Sequence, residues 1–239
     1  LNQGDLLISD GATGTYLQGR GLESGGCPEE FNESNSDIVR GMAKNYFDAG
    51  SEMVLTNSFG GSRFMLQKYG YADRVREFNR LAASHAVSQK PPGAYVVGSV
   101  GPSGEFMEPL GEVTEPEMLE AFGEQMSSLA GGGVDAILIE TGIDIKEAAV
   151  AIKAAKDNTG LPVMATMTFD KGPRGFFTMM GVTAPEAARK LEDAGADVVG
   201  INCGNGIRAM IELASEMREA TDAYMIVHSN AGIPSIVKG

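Results

Sequence analysis

Seven short apolar runs in this chain each lead into polar residues of the types that bind or activate small molecules. Asp10 closes LLISD and precedes Gly11, Ala12 and Thr13; Asn57 closes MVLTN; Gly101 follows YVVGSV; Glu140 stands in AILIET; Thr168 lies near the end of PVMATMTF; Cys203 closes VVGINC; and Asn230 closes YMIVHSN. Cys203 poses the sharpest question, because a cysteine between an apolar run and a glycine-rich turn is either a small packed hydrophobe or a reactive group. The other cysteine is Cys27. Each polar residue, taken alone, could equally cap the helix that follows it.

The elements that would position this set are legible from period. The apolar runs at 6–10, 53–57, 95–100, 136–141, 162–169, 198–203 and 224–230 are bounded by glycine, proline or small polar residues, as expected of strands buried on both faces of a parallel sheet. Between them, apolar residues recur with helical spacing at about 36–50, 72–88, 115–131, 145–157, 184–194 and 207–220. In SDIVRGMAKNYFDAG, Ile38, Met42, Tyr46 and Phe47 would share a face, Ser36 would cap the start and Gly50 would end the helix. DAGSEMVLTN, GGGVDAILIET and DAGADVVGINC repeat one unit: a glycine closes a helix and an acidic residue precedes a strand.

Seven strands with intervening helices predict an α/β fold of the (βα)8 TIM-barrel type, with 1–239 as a single domain lacking its eighth strand. That strand is expected beyond Gly239, and the absent initiator methionine suggests a trimmed sequence. In such a barrel the strand exits converge on one mouth, where active sites lie.

A formal charge of −13 leaves no basic stripe, which argues against nucleic acid and anionic membrane partners. No apolar run is long enough to span a bilayer, LNQGDLLISDG does not read as a signal peptide, and two cysteines provide no disulfide framework. The expected setting is cytoplasmic.

DGATGT, LTNSFGG, GSVGPSGE, ILIETG, MTFD, GINCG and SNAGIP, in this order, resemble the homocysteine S-methyltransferase family along essentially the whole chain. That family includes the homocysteine-binding module of cobalamin-dependent methionine synthase and the betaine- and S-methylmethionine-dependent enzymes. The resemblance implies zinc-dependent transfer of a methyl group to homocysteine, giving methionine. It implies a zinc ion held by three cysteine thiolates, of which Cys203 matches one; the other two are expected beyond Gly239. Asp10 and Glu140 match the pair that receives the substrate ammonium, and Gly11, Ala12 and Thr13 form the turn whose N–H groups would meet its carboxylate. Asn57 is a further expected substrate contact. Asn230 matches a residue that can approach the metal, although serine replaces proline in the family's PNAG pattern. Cys203 and Glu140 are the expected catalytic residues.

This chemistry suits the residues, since a free thiol is mostly protonated at neutral pH and zinc coordination deprotonates it. The methyl donor stays open between small methylated compounds and methylcobalamin carried by a separate module or corrinoid protein. Rival readings are a corrinoid-linked methyltransferase acting on another methylated compound, a phosphate-handling lyase or isomerase using GNG at 204–206 as a cradle, and a non-catalytic amino-acid-binding barrel. Cys27, His85, His228 and the pair Met179 and Met180 are expected to be structural.

Overall fold

A computed structural model describes residues 6–232. In chain order its elements begin with α1 (Thr13–Gln18), α2 (Phe31–Ser34), α3 (Ser36–Asp48), β1 (Met53–Leu55), α4 (Arg63–Gln67), α5 (Val75–Val87), β2 (Tyr95–Val100) and α6 (Glu115–Gly131). They continue with β3 (Ala136–Gly142), α7 (Ile145–Thr159), β4 (Val163–Met167), β5 (Asp170–Gly172) and β6 (Gly175–Phe177). The last are α8 (Ala184–Asp193), β7 (Val198–Gly206), α9 (Ile207–Arg218) and β8 (Tyr224–Asn230).

Six strands form one parallel, curled sheet in the order β1-β2-β3-β4-β7-β8, a half-barrel, while β5 and β6 make a separate antiparallel hairpin. The continuous apolar runs have the expected cause, because both faces of the sheet are covered. Val54, Val96, Ile137, Val163 and Val199 pack outward under the helices, and Met53, Val97, Leu138, Met164 and Ile226 pack inward. Toward the strand exits the inward positions turn polar: Ser99, Glu140, Thr166, Asn202 and His228 follow Val97, Leu138, Met164, Gly200 and Ile226 at the two-residue strand period.

The repeated acidic residues form three identical clamps at the strand starts. Asp135 N–H donates to the Val96 carbonyl at 2.8 Å, while its carboxylate accepts the Val96 N–H at 2.7 Å. Asp197 makes the same pair with Val163, and Glu52 with Ile8. Lys90 and Lys156 neutralise Asp135 and Asp197.

Several expectations need correction. The run at 6–10 is reduced to a single bridge between Ser9 and Met53. Ser36 is the first helical residue of α3 and Asn35 precedes it, with no side-chain cap. Ile38 and Tyr46 are only half-buried, the buried face being Val39, Met42, Ala43 and Phe47. The strand containing Cys203 does not stop there; β7 continues to Gly206 through a register shift against β8. Gly204 to Gly206 therefore belong to a strand that runs directly into α9. Met179 and Met180 are exposed, at 66% and 40%, instead of packed. The expected eighth strand lies outside the described residues.

Candidate active site

The strand exits surround a cavity of about 800 Å³ lined by Asp10, Gly11, Ala12, Thr13, Asn57, Glu140, Cys203 and Asn230; of the strand-exit residues that sequence singled out, Gly101 and Thr168 do not line it. Ser99, Thr141, Asn202 and His228 line it as well.

Glu140 is held from both sides. Ser99 Oγ on β2 donates to its Oε1 at 2.5 Å, and Asn202 Nδ2 on β7 to its Oε2 at 3.2 Å. Burial raises its pKa to about 7 against the pull of the Ser99 hydroxyl, and the nearby Asp10 carboxylate pushes in the same direction as burial. Asp10 is anchored to the edge of the sheet: its Oδ2 accepts the Leu55 N–H at 2.7 Å and its Oδ1 the Ser9 hydroxyl at 3.2 Å. Burial lifts Asp10 to about 6 despite these bonds. Two carboxylic acids thus face one cavity poised to ionise near neutrality, and a cation placed there would draw both into the charged form.

Asn202 is the hub that sequence reasoning missed. The amide is buried; its Oδ1 accepts the Thr141 N–H and the Thr166 hydroxyl, each at 2.8 Å. Its Nδ2 reaches Thr141 Oγ1 at 2.8 Å and Cys203 Sγ at 3.4 Å, besides Glu140. The available signal was an asparagine at an inward position of an otherwise apolar strand. Ser99 carried the same signal in YVVGSV.

Cys203 has φ +57° and Thr141 φ +62°, the two positive values outside glycine among the described residues. Left-handed backbone at side-chain-bearing residues costs about 1–2 kcal/mol each, and here it accompanies register shifts at the ends of β3 and β7. The Thr141 hydroxyl lies 3.8 Å from Cys203 Sγ. Burial raises the Cys203 pKa, with the Thr141 and Asn202 hydrogen bonds opposing and the Glu140 charge reinforcing it.

The turn at 10–13 is clamped by α3. Tyr46 Oη donates to the Ala12 carbonyl at 2.9 Å, and its ring lies so close to Gly11 that a Cβ there would meet the ring at 2.9 Å. Asn57 borders the cavity with its amide already engaged, donating to the Pro28 carbonyl at 2.7 Å and to Asn32 Oδ1 at 3.0 Å. Asn230 is exposed at the end of β8.

The residues expected to be structural divide. Cys27 packs with Leu66, Val75 and Phe78, and burial together with the Glu29 charge raises its thiol to about 12. His85 is satisfied by the Asn32 carbonyl at 2.7 Å, whereas His228 Nε2 is buried without a partner. Glu29, fully buried against the Gly60 N–H, also borders the cavity and was not anticipated.

The zinc expectation can be set against this donor chemistry. Cys203 supplies a thiol at the mouth, but among the described residues no group of three histidine, cysteine, aspartate or glutamate side chains could hold a metal ion. The donors among the described residues do not complete a zinc site, and the two further cysteines expected beyond Gly239 lie outside them. Among the described residues no helix is long and apolar enough to cross a membrane.

Residues 7–239 match the family described as homocysteine S-methyltransferase. Among curated relatives, methionine synthase of Mycobacterium tuberculosis is 32% identical and that of Mycobacterium leprae 31% identical, each over 96% of this chain. The chain spans 20% of the length of each. The homocysteine methyltransferase MmuM of Escherichia coli in its metallated form superposes with a TM-score of 0.78 at 16% identity, covering 96% of this chain and 85% of that one. Its apo form gives 0.68 at 19% identity, covering 96% and 83%. These superpositions establish the shared fold.

Proposed function

Because the chain belongs to the homocysteine S-methyltransferase family, we propose that its cavity binds homocysteine and presents the thiol to a methyl donor, yielding methionine. The observation that carries this reading is the convergence of a buried carboxyl, a half-buried carboxyl and a thiol on a single cavity: Glu140, Asp10 and Cys203. Asp10 and Glu140 would ionise on receiving the substrate ammonium, and the N–H groups of Gly11, Ala12 and Thr13 would meet its carboxylate. With the amino acid end held, the sulfur would lie on the Cys203 side. The substrate thiol releases its proton to solvent, its sulfur forms a bond to the methyl carbon, and the donor keeps the electron pair of the bond that breaks.

Cys203 is proposed as one metal thiolate, with the remaining donors outside the described residues. The relatives named methionine synthase favour a methyl group delivered on a corrinoid by another module or protein. Betaine and S-methylmethionine are the competing donors.

The test is methionine formation by the whole protein from homocysteine with methylcobalamin, betaine or S-methylmethionine, together with zinc content. The expected result is turnover with one of these donors and about one zinc per chain, lost in Cys203→Ser. Tight homocysteine binding without turnover on any donor would instead identify an amino-acid-binding module.

A further inference from the structure

Asn202 joins two of the groups that line the cavity, the Glu140 carboxyl and the Cys203 thiol, through one planar amide. The backbone N–H of Thr141 can only donate, so the amide atom facing it is the oxygen, and the orientation of Asn202 is determined. Its nitrogen therefore faces both Glu140 Oε2, at 3.2 Å, and Cys203 Sγ, at 3.4 Å. Those two atoms can be no further apart than the sum of the distances, about 6.6 Å. Neither end of the amide is free to turn: Thr166 on β4 and Thr141 on β3 hold the oxygen, and the Thr141 hydroxyl holds the nitrogen. The Asn202 carbonyl is also held, by Thr168 Oγ1 at 2.9 Å. Burial of the whole side chain excludes water from relaxing the link.

We infer that Asn202 is a positioning residue that sets the span between the amine and sulfur ends of the site, and thereby its preference for homocysteine over cysteine. The inference rests on the homocysteine reading above. A ligand whose ammonium meets Glu140 while its sulfur lies beside Cys203 must bridge a gap that one rigid amide holds constant. Cysteine is one methylene shorter, and a methylene in a shaped site is worth roughly 10- to 200-fold in discrimination. Loosening the amide would let the two ends drift and erode that ratio even where the fold survives.

The experiment is calorimetric binding of L-homocysteine and L-cysteine to the whole protein and three variants, with thermal melts as the folding control. Asn202→Asp keeps the shape but removes both N–H donors, Asn202→Ser removes the amide, and Thr166→Val keeps Asn202 while removing one of its holds. The wild-type protein is expected to prefer homocysteine by at least ~10-fold. The ratio should fall below about threefold in the Asn202 variants and to an intermediate value in Thr166→Val, mainly through weaker homocysteine binding. Folded variants that keep the wild-type ratio, even with both ligands weakened alike, would overturn the inference and leave the homocysteine reading standing. Should the Asn202 variants fail to fold, an unchanged ratio in Thr166→Val would overturn it. A wild-type protein that binds neither ligand would overturn both.

Discussion

The two ends of the same strands are built on opposite rules. At their starts, one device is used three times: Glu52, Asp135 and Asp197 each donate from their own N–H to a residue of the neighbouring segment (Ile8, Val96 and Val163) and accept that residue's N–H on the carboxylate. At their exits no one device is shared by all the strands. Thr141 and Cys203 take left-handed backbone, the register shifts, and carboxyls stand in a buried mouth with pKa values lifted toward neutrality. The difference teaches where stability and function reside: regular clamps hold adjacent strands together, and the irregular ends hold polar groups in positions that a regular sheet would not give them.

The largest effect that would test this division is Glu140→Gln. Removing a buried charged partner of a bound ammonium costs about 2–5 kcal/mol, so kcat/KM for homocysteine should fall roughly 30-fold or more while the melting temperature holds or rises. A fall in stability with unchanged kinetics would reverse the assignment. The mirror experiment is Asp135→Ala, which removes acceptors for the Val96 N–H and the Lys90 ammonium. Loss of a hydrogen bond to a charged group costs about 1.5–3 kcal/mol, to be read from urea unfolding, with kcat/KM within about twofold of wild type.

A smaller effect separates the two ends by sign. Burial raises Asp10 to about 6 and Glu140 to about 7, so between about pH 4 and pH 7 the folded chain binds more protons than the unfolded one. Their contribution is present at low pH and is lost as pH rises through those values. Asp197 behaves oppositely: burial pushes it up, but the Lys156 ammonium and the Val163 N–H outweigh burial and hold it below its ordinary value. Its contribution is present above about pH 4 and is lost as pH falls. Urea midpoints across pH 3 to 8 should therefore lose part of their neutral-side decline in a variant carrying Asp10→Asn and Glu140→Gln, with buried Glu29 and Glu147 keeping the rest, and lose part of the acid-side decline in Asp197→Asn. An unchanged curve in either variant would contradict the corresponding sign.

The smallest effect concerns backbone strain. With φ +57° at position 203, Cys203→Gly should be more stable than Cys203→Ala by about 1 kcal/mol, both lacking the thiol. Equal stability would mean that the left-handed conformation costs little at this site.

Legibility differed between the two ends for the same physical reason. Glycine, acid and apolar run recur in the sequence, so the strand starts could be read directly, and six of the seven expected strands appear as members of one sheet. The seventh, at 6–10, is pared to one bridge, because periodicity reports burial and carries no information on how many ladder bonds form. At the exits the residue types were legible, but partners were not. Asn57 reads like a ligand contact in sequence, yet Pro28 and Asn32 occupy its amide. Asn202 reads like a polar residue within a strand, yet it contacts Glu140, Thr141, Thr166 and Cys203 at once.

The sequence by itself determined the alternation of strand and helix, the parallel sheet with both faces buried, the family, and the residues that would line the mouth. All of these follow from local period and from motifs a few residues long. The tertiary structure alone decided which amide joins which carboxyl to which thiol, that the repeated acids are clamps between neighbouring strands, and that Asp10 and Glu140 ionise near neutrality. Those properties depend on distances between strands and on exclusion of water, and both exist only once residues more than forty positions apart have been brought into contact.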